Sequence, residues 1–297
     1  KEDIAIIVNE FGKVGLDHHL LKKVEEKTLL LNGGCICCNS REDLEKELKN
    51  LLYAYEGHKT HFDRVIIETT GLADPAPILF TILNDPILQK RYIVECVITT
   101  VDAVNGKLHL DKNPEIHKQL AIADKVIITK TDIANESQIN DIISRVHAVN
   151  PSSEVIYSNE INESILHEST TQNKIVNISP LKTHYADNIK SISFTFEKPL
   201  NWIAFGLWLS MLLHAEGESV LRVKGLLDVG EDGPIVLNGV QHIIHPPQHL
   251  DRWPENDNAS HIVFILRNID PEKIKESLMA FQDFLDTKIN VLEYPVV

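Results

Sequence analysis

The first half of the chain alternates short apolar, β-rich runs with stretches of helical spacing, and this alternation restricts the fold more than any other feature. Ile4–Val8, Thr28–Leu31, Arg64–Glu68, Tyr92–Val101 and Lys125–Thr129 carry little internal polarity. That is the pattern of strands covered on both faces. Ser40-Arg41-Glu42-Asp43 resembles a capping box, and it predicts a helix with Leu44, Leu48, Leu51, Leu52 and Tyr55 on one face. Ile139, Ile142, Ile143, Val146 and Val149 predict a second helix, stopped by Asn150-Pro151. Strands alternating with helices imply an α/β fold built on a doubly wound, mainly parallel sheet.

From 158 to 188 the chain turns polar and irregular, and beyond it the period changes. Ile192, Phe194 and Phe196 alternate with polar residues, Leu200–His214 reads as a helix, and strands are expected near Val220–Leu226, Ile235–Leu237 and His261–Leu266. Pro271–Phe284 reads as a closing helix whose first turn tolerates the proline. Alternation with one polar face suggests an antiparallel sheet backed by helices, a smaller α+β domain. The expected domains are 1–178 and 188–297, and 297 residues suffice for two cores.

Composition narrows the function. A formal charge of −14 argues against a surface that tracks nucleic-acid phosphates. The longest apolar run, Trp202–Leu213, is too short to span a bilayer and reads as a buried helix, so no membrane segment is expected. No secretory signal is visible. The sequence opens on Lys1 with a strand following almost at once, as if it began inside a larger chain. Of four cysteines, three lie in Cys35-Ile36-Cys37-Cys38, too close together for a disulfide framework. A reducing, cytoplasmic setting fits better.

That cysteine run, preceded by Gly33-Gly34, is the strongest local signal. Thiolates bind zinc at about 2.3 Å, and three of them with one outside ligand complete a tetrahedron. The glycines let the backbone fold tightly enough for the sulfurs to converge. Buried structural cysteines, or a redox dithiol through Cys35 and Cys38, are the competing readings. Thr129-Lys130-Thr131-Asp132 follows an expected strand. Proteins specific for guanine use a similar Asn-Lys-x-Asp turn, in which the carboxylate accepts from the base N1 and exocyclic amine while the lysine stem packs over the ring. A charged strand-end turn is the plain alternative. Glu68-Thr69-Thr70-Gly71 ends another strand. Glu68 could hold a magnesium-bound water or orient the attacking water, and Gly71 could bring a backbone N–H to a terminal phosphate. An ordinary turn with a solvated glutamate is the alternative. Glu10, in Asn9-Glu10-Phe11-Gly12, could contact the metal or the magnesium shell, although exposed loop carboxylates are more common. Asp102 is open in the same way. His242, His245 and His249 flank Pro246-Pro247, an extended spacing that favours a simple loop over a metal site.

Together these stretches resemble the CobW family of P-loop GTPases, associated with metal insertion and zinc homeostasis. IAIIVNEFG (4–12), LNGGCICC (31–38), VIIETTGLADP (65–75), VDAV (101–104) and QLAIADKVIITKTD (119–132) are similar to its GTPase part. RVKG (222–225), GVQHIIHPPQHL (239–250) and residues 261–266 are similar to its C-terminal domain. The resemblance implies metal ligands at Cys35, Cys37 and Cys38, magnesium and γ-phosphate elements at Glu68 and Gly71, and guanine readers at Lys130 and Asp132, with Thr129 in place of the more usual Asn. It further implies a metallochaperone that uses GTP/GDP, Mg2+ and Zn2+ and delivers its ion to a client metalloprotein. A Gly-x-x-x-x-Gly-Lys-[Ser/Thr] phosphate loop, which the family carries just upstream of Ile4, does not occur in this sequence. GTP hydrolysis is therefore expected of an intact protein that carries that loop, and not of this stretch by itself. A thiol redox protein and a non-catalytic metal- or nucleotide-binding module remain as alternatives.

Overall fold

The computed structural model describes residues 3–8, 29–31, 41–69, 71, 73–166, 189–253 and 259–294. Strand β1 (Ile4–Val8) lies between β2 (Leu29–Leu31) and β3 (Arg64–Glu68) and runs parallel to both. Parallel neighbours require crossovers, and helix α1 (Arg41–Glu56) supplies part of the one from β2 to β3. Its Leu44, Leu48 and Leu51 pack with Ala5 and Ile7 of β1, with Ile82 of α2 (Ala76–Asn84) and with Leu88 of α3 (Leu88–Arg91). Tyr55, on the same helical stripe, is 41% exposed because it falls in the last turn, where it meets the rings of Phe62 and His61 instead of the core. The Lys49 ammonium donates to Glu45 and Asp85, tying α1 to the end of α2. Ser40 of the expected capping box lies outside the described residues.

These elements belong to one compact unit, Lys1–Val94, and the remainder forms a second, Glu95–Val297. The apolar run 92–101 straddles that division, and only Ile98–Asp102 is strand (β4). Tyr92 and Val94 pack against the first unit's core, and the Tyr92 hydroxyl donates to the Leu48 carbonyl at 2.9 Å. An apolar run thus fills two cores instead of forming one long strand.

In the second unit β4, β5 (Lys125–Thr129) and β6 (Glu154–Tyr157) are parallel and adjacent in that order. Helices α4 (Gly106–Lys112), α5 (Pro114–Ile122) and α6 (Glu136–Val149) connect them. A Cβ on Gly106 would sit 2.9 Å from Val101 and 3.0 Å from Ile142, so glycine there lets α4 approach strand and helix closely. The fully buried Asn150, just past α6, donates to the carbonyls of Leu120 and Ala123 at 2.8 Å.

The C-terminal part is an antiparallel sheet in the order β10 (Ile243–Ile244), β9 (Ile235–Val240), β8 (Val220–Leu227), β12 (Ser260–Arg267), β7 (Ile189–Phe196), β13 (Ile289–Tyr294), with β11 (Gln248–His249) pairing β9. One face packs on α7 (Trp202–Glu216), α8 (Pro271–Ala280) and α9 (Gln282–Leu285) through Phe194, Phe264, Phe205, Trp208 and their neighbours. The expected closing helix breaks at Phe281 into α8 and α9.

One sequence expectation is refined here and one corrected. The second face of the sheet does carry polar residues, Ser191 and Ser193 of β7 among them, but it is covered: both are buried, as are all eight residues of β8. Leu221, Ile189 and Ile265 join a core with Val101, Leu120, Val126, Ile142 and Val146 of the parallel-sheet part. A bulge in β8 opposite Ile265 and Leu266 adds one residue, which lets Leu221 and Arg222 both reach toward this core. Helix α7 is also not wholly buried: Ile203 is 83% exposed, Leu207 57% and Met211 55%.

Candidate functional site

In a parallel sheet the loops after the strands' C-terminal ends collect on one edge, where α/β proteins bind ligands. In the second unit that edge is built from Asp102 of β4, Thr129 of β5 and Tyr157 of β6. Asp102 lies opposite Thr129, and Ile128 opposite Tyr157. The Thr129 hydroxyl donates to the Val101 carbonyl at 3.3 Å, and the Ala103 N–H donates to the Thr129 carbonyl at 2.9 Å. Thr129 thus holds the ends of β4 and β5 together.

Lys130 follows in the left-handed region at φ 59°. Non-glycine residues hold that conformation at a cost of roughly 1 kcal/mol or more, so its surroundings must impose it. Its carbonyl accepts from the N–H groups of Ile133 and Ala134, closing the turn. Asn135 then caps α6 by accepting from the Gln138 N–H at 2.9 Å, while the Gln138 side chain accepts from the Asn135 N–H at 3.0 Å. The turn is therefore clamped between a strand and a capped helix. Asp132 is exposed on it and has no hydrogen-bond or ion-pair partner among the described residues, which leaves its carboxylate able to accept from a ligand.

The Lys130 ammonium donates to Asp102 Oδ2 at 2.6 Å. Asp102 also accepts from the Val104 N–H at 2.7 Å, the Asn105 N–H at 3.1 Å and the Asn105 side-chain amide at 3.0 Å. Burial pushes this carboxyl up, but the hydrogen bonds from Lys130 and Asn105 and from the two backbone N–H groups outweigh it. Asp102 is held well below the usual carboxylate range.

Glu68 ends β3 in the first unit, is exposed, and has no partner among the described residues. Gly71 is exposed, and a Cβ there would meet nothing within 4 Å. Glu10, Cys35, Cys37 and Cys38 lie outside the described residues. The remaining cysteine, Cys96, is a free thiol that burial pushes up to about 12, so it stays protonated at neutral pH.

The three histidines do not converge. The His242 ring lies 3.0 Å from the Leu213 carbonyl, His249 lies 3.1 Å from Glu231, and the His245 backbone N–H donates to Asn238. Among the described residues no group of three His, Cys, Asp or Glu side chains could hold a metal. No helix among them is long and apolar enough to cross a membrane.

Residues 1–157 match the CobW/HypB/UreG nucleotide-binding domain, and residues 189–282 match the C-terminal domain of the cobalamin synthesis protein CobW. The chain belongs to the CobW/HypB/UreG family. It is 31% identical to the zinc chaperone YjiA of Escherichia coli, over 94% of this chain and 90% of that protein. It is 26% identical to the zinc-regulated GTPase metalloprotein activator 1 of Schizosaccharomyces pombe, over 90% of this chain and 76% of the relative. The crystal structure of Zn(II)-bound YjiA GTPase from E. coli superposes with a TM-score of 0.71 at 25% identity, covering 94% of this chain and 90% of that one. The family's architecture is present here as parallel strands with helices followed by a smaller antiparallel-sheet domain.

Sequence reading named Asp102 but could not assign it, because its partner lies 28 residues away and meets it only through the pairing of β4 with β5. It missed the end of β6 altogether, since four residues, Glu154–Tyr157, carry too little pattern to announce a strand.

Proposed function

We propose that this chain is the metal- and nucleotide-handling body of a GTP-dependent zinc metallochaperone. The observation that carries the reading is the turn Thr129–Asp132, clamped at the edge of a parallel sheet with Lys130 fixed and the Asp132 carboxylate unpartnered. A carboxylate suits guanine because it accepts from both N1–H and the exocyclic amine, whereas adenine would oppose it with an acceptor. The names of the relatives, a zinc chaperone and a zinc-regulated GTPase, point to the same pairing of ion and nucleotide.

In this reading Lys130 covers the base, Asp132 reads its edge, and Thr129 keeps the two strand ends together. Glu68 and Gly71 serve the magnesium and terminal-phosphate side. An exposed strand-end carboxylate fits magnesium, which is commonly held by one or two carboxylates together with phosphates and water. When bound, Mg2+ would neutralise charge on the phosphates. Asp102 does not fit that role, because four donors already fill its two oxygens. Zinc is the cargo, taken by Cys35, Cys37 and Cys38, with Glu10 as a further candidate ligand. The donor chemistry is apt, because three thiolates suit a borderline-soft ion better than a hard one.

Residues 1–178 would handle nucleotide and ion, and residues 188–297 would dock the client metalloprotein, in a reducing, cytoplasmic setting. Hydrolysis of GTP would alter the cysteine geometry and so the affinity for zinc, and linkage requires zinc to alter GTP affinity by the same factor. The test is a zinc titration of full-length protein loaded with GDP or with a non-hydrolysable GTP analogue, repeated with each of Cys35, Cys37 and Cys38 changed to serine. Affinity should differ between nucleotide states and fall with each substitution. Equal affinities in the two states would remove the switch, and unchanged zinc binding in all three variants would remove the site.

A further inference from the structure

Asp102 is an acid at the end of a strand beside a nucleotide-reading turn, a position from which a carboxylate could serve a metal. Its hydrogen bonds decide otherwise. A carboxylate offers about four lone-pair directions. Here Oδ1 accepts from the Val104 and Asn105 N–H groups, and Oδ2 accepts from the Asn105 side-chain amide and the Lys130 ammonium. No direction remains for a cation or a bound water.

The same geometry constrains Lys130. A free lysine side chain has substantial rotamer entropy to lose when a ligand immobilises it, and its ammonium would otherwise sample solvent above the strand edge. Instead the backbone is turned at φ 59° and the ammonium is anchored on Asp102, so both ends of the side chain are fixed and the methylene stem spans the gap between them. Asp102 is in turn held by the two N–H groups at the entrance to α4 and by Asn105. A stem ordered before the ligand arrives offers an apolar surface to a flat ring without having to be immobilised on binding.

We infer that Asp102 is a positioning residue that orders Lys130 as the platform for the guanine base, with Asn105 as its support. This rests on the reading of Thr129–Asp132 as the guanine site. The platform contributes to binding of any purine ring it covers, whereas recognition of N1–H and the exocyclic amine belongs to Asp132. The two contributions separate in experiment.

The variant of choice is Asp102→Asn. It retains Oδ1 for the Val104 and Asn105 N–H groups, so the turn survives, but it sets an amide opposite the ammonium. In full-length protein, D102N should weaken both GDP and IDP by about three- to tenfold, the scale of a partly exposed ion pair together with the side chain it orders. The ratio of GDP to IDP affinity should not change, and neither should the Mg2+ concentration that half-saturates binding. Lys130→Ala should show a similar loss, and the D102N/K130A double variant should bind no worse than K130A alone. Thermal unfolding of D102N close to that of wild type shows that the loss is local. A D102N protein with full GDP affinity, an additional loss in the K130A background, or a shifted Mg2+ requirement would each overturn the assignment of Asp102 alone. A wild-type protein with no preference for GDP over ADP would instead remove the guanine reading, and this inference with it.

Discussion

His245 sits beside the Arg222 guanidinium, in a setting that works against protonation. Burial is the larger cause and the Arg222 charge adds to it, while Asp124 opposes both, and the imidazole is pushed down to about 4 from an ordinary 6.5. Its Nε2 is buried without a partner among the described residues. The folded state therefore keeps the ring neutral where the unfolded chain takes up a proton. Linkage fixes the sign: this contribution is fully present above pH 6.5, is lost progressively as pH falls toward 4, and changes little below that. Asp124 and Asp102, whose carboxyls are held low, lose their contributions at still lower pH, so the histidine acts first. His245→Gln keeps a polar side chain but cannot titrate. The difference in thermal midpoint between wild type and H245Q should narrow from pH 7 to pH 4.5, and a constant difference across that range would show that His245 titrates alike in both states.

At the scale of elements, the tie between β8 and the start of β5 is a fully buried ion pair. Arg222 donates to Asp124 and to the Ile122 carbonyl, Lys224 lies 3.5 Å from the same carboxylate, and the Val97 N–H donates to it at 2.8 Å. Removing Arg222 leaves the buried Asp124 carboxylate with only Lys224 at 3.5 Å and the Val97 N–H to offset its charge. Arg222→Met should cost about 3–5 kcal/mol in urea unfolding. Adding Asp124→Asn should recover part of that loss instead of doubling it; simple additivity would mean the two side chains are energetically independent. This tie was not legible in the sequence. The buried faces of α1 and α6 were, because leucines and isoleucines at helical spacing need only a surface to cover. The turn at Thr129–Asp132 was legible for a similar reason, being four contiguous residues after an apolar strand. Asp124 looks like a loop acid and Arg222 like an exposed strand residue until a bulge in β8 and the packing of the two sheets on one core bring them together. The ambiguous run 92–101 failed for the opposite reason, since local β-propensity could not reveal that its two ends serve different cores.

For the whole molecule, the division into compact units does not follow the family's domain boundary. The nucleotide-binding match covers residues 1–157, yet β4, β5 and β6 belong with the C-terminal sheet in the unit Glu95–Val297. The reason is the shared core, in which Leu221, Ile189 and Ile265 cover Val101, Leu120, Val126 and Val146. Burying each such aliphatic side chain contributes about 1.5–3 kcal/mol, and domains are marginally stable by only about 5–15 kcal/mol in total. A fragment ending at residue 178 therefore uncovers an apolar face on α5 and α6 and leaves Asp124 without Arg222. That fragment should aggregate or bind a hydrophobic dye, and it should lose slow amide exchange in β5. In the intact protein β5, β8 and β12 should share one slow-exchanging set, because each contributes to or flanks the same core. A soluble 1–178 fragment with native protection in β5 would show that the C-terminal sheet is an independent passenger. Failure to fold would mean that the half of the molecule carrying the Thr129–Asp132 turn is built jointly with the C-terminal sheet, through the core that β5 shares with Leu221 and Ile265.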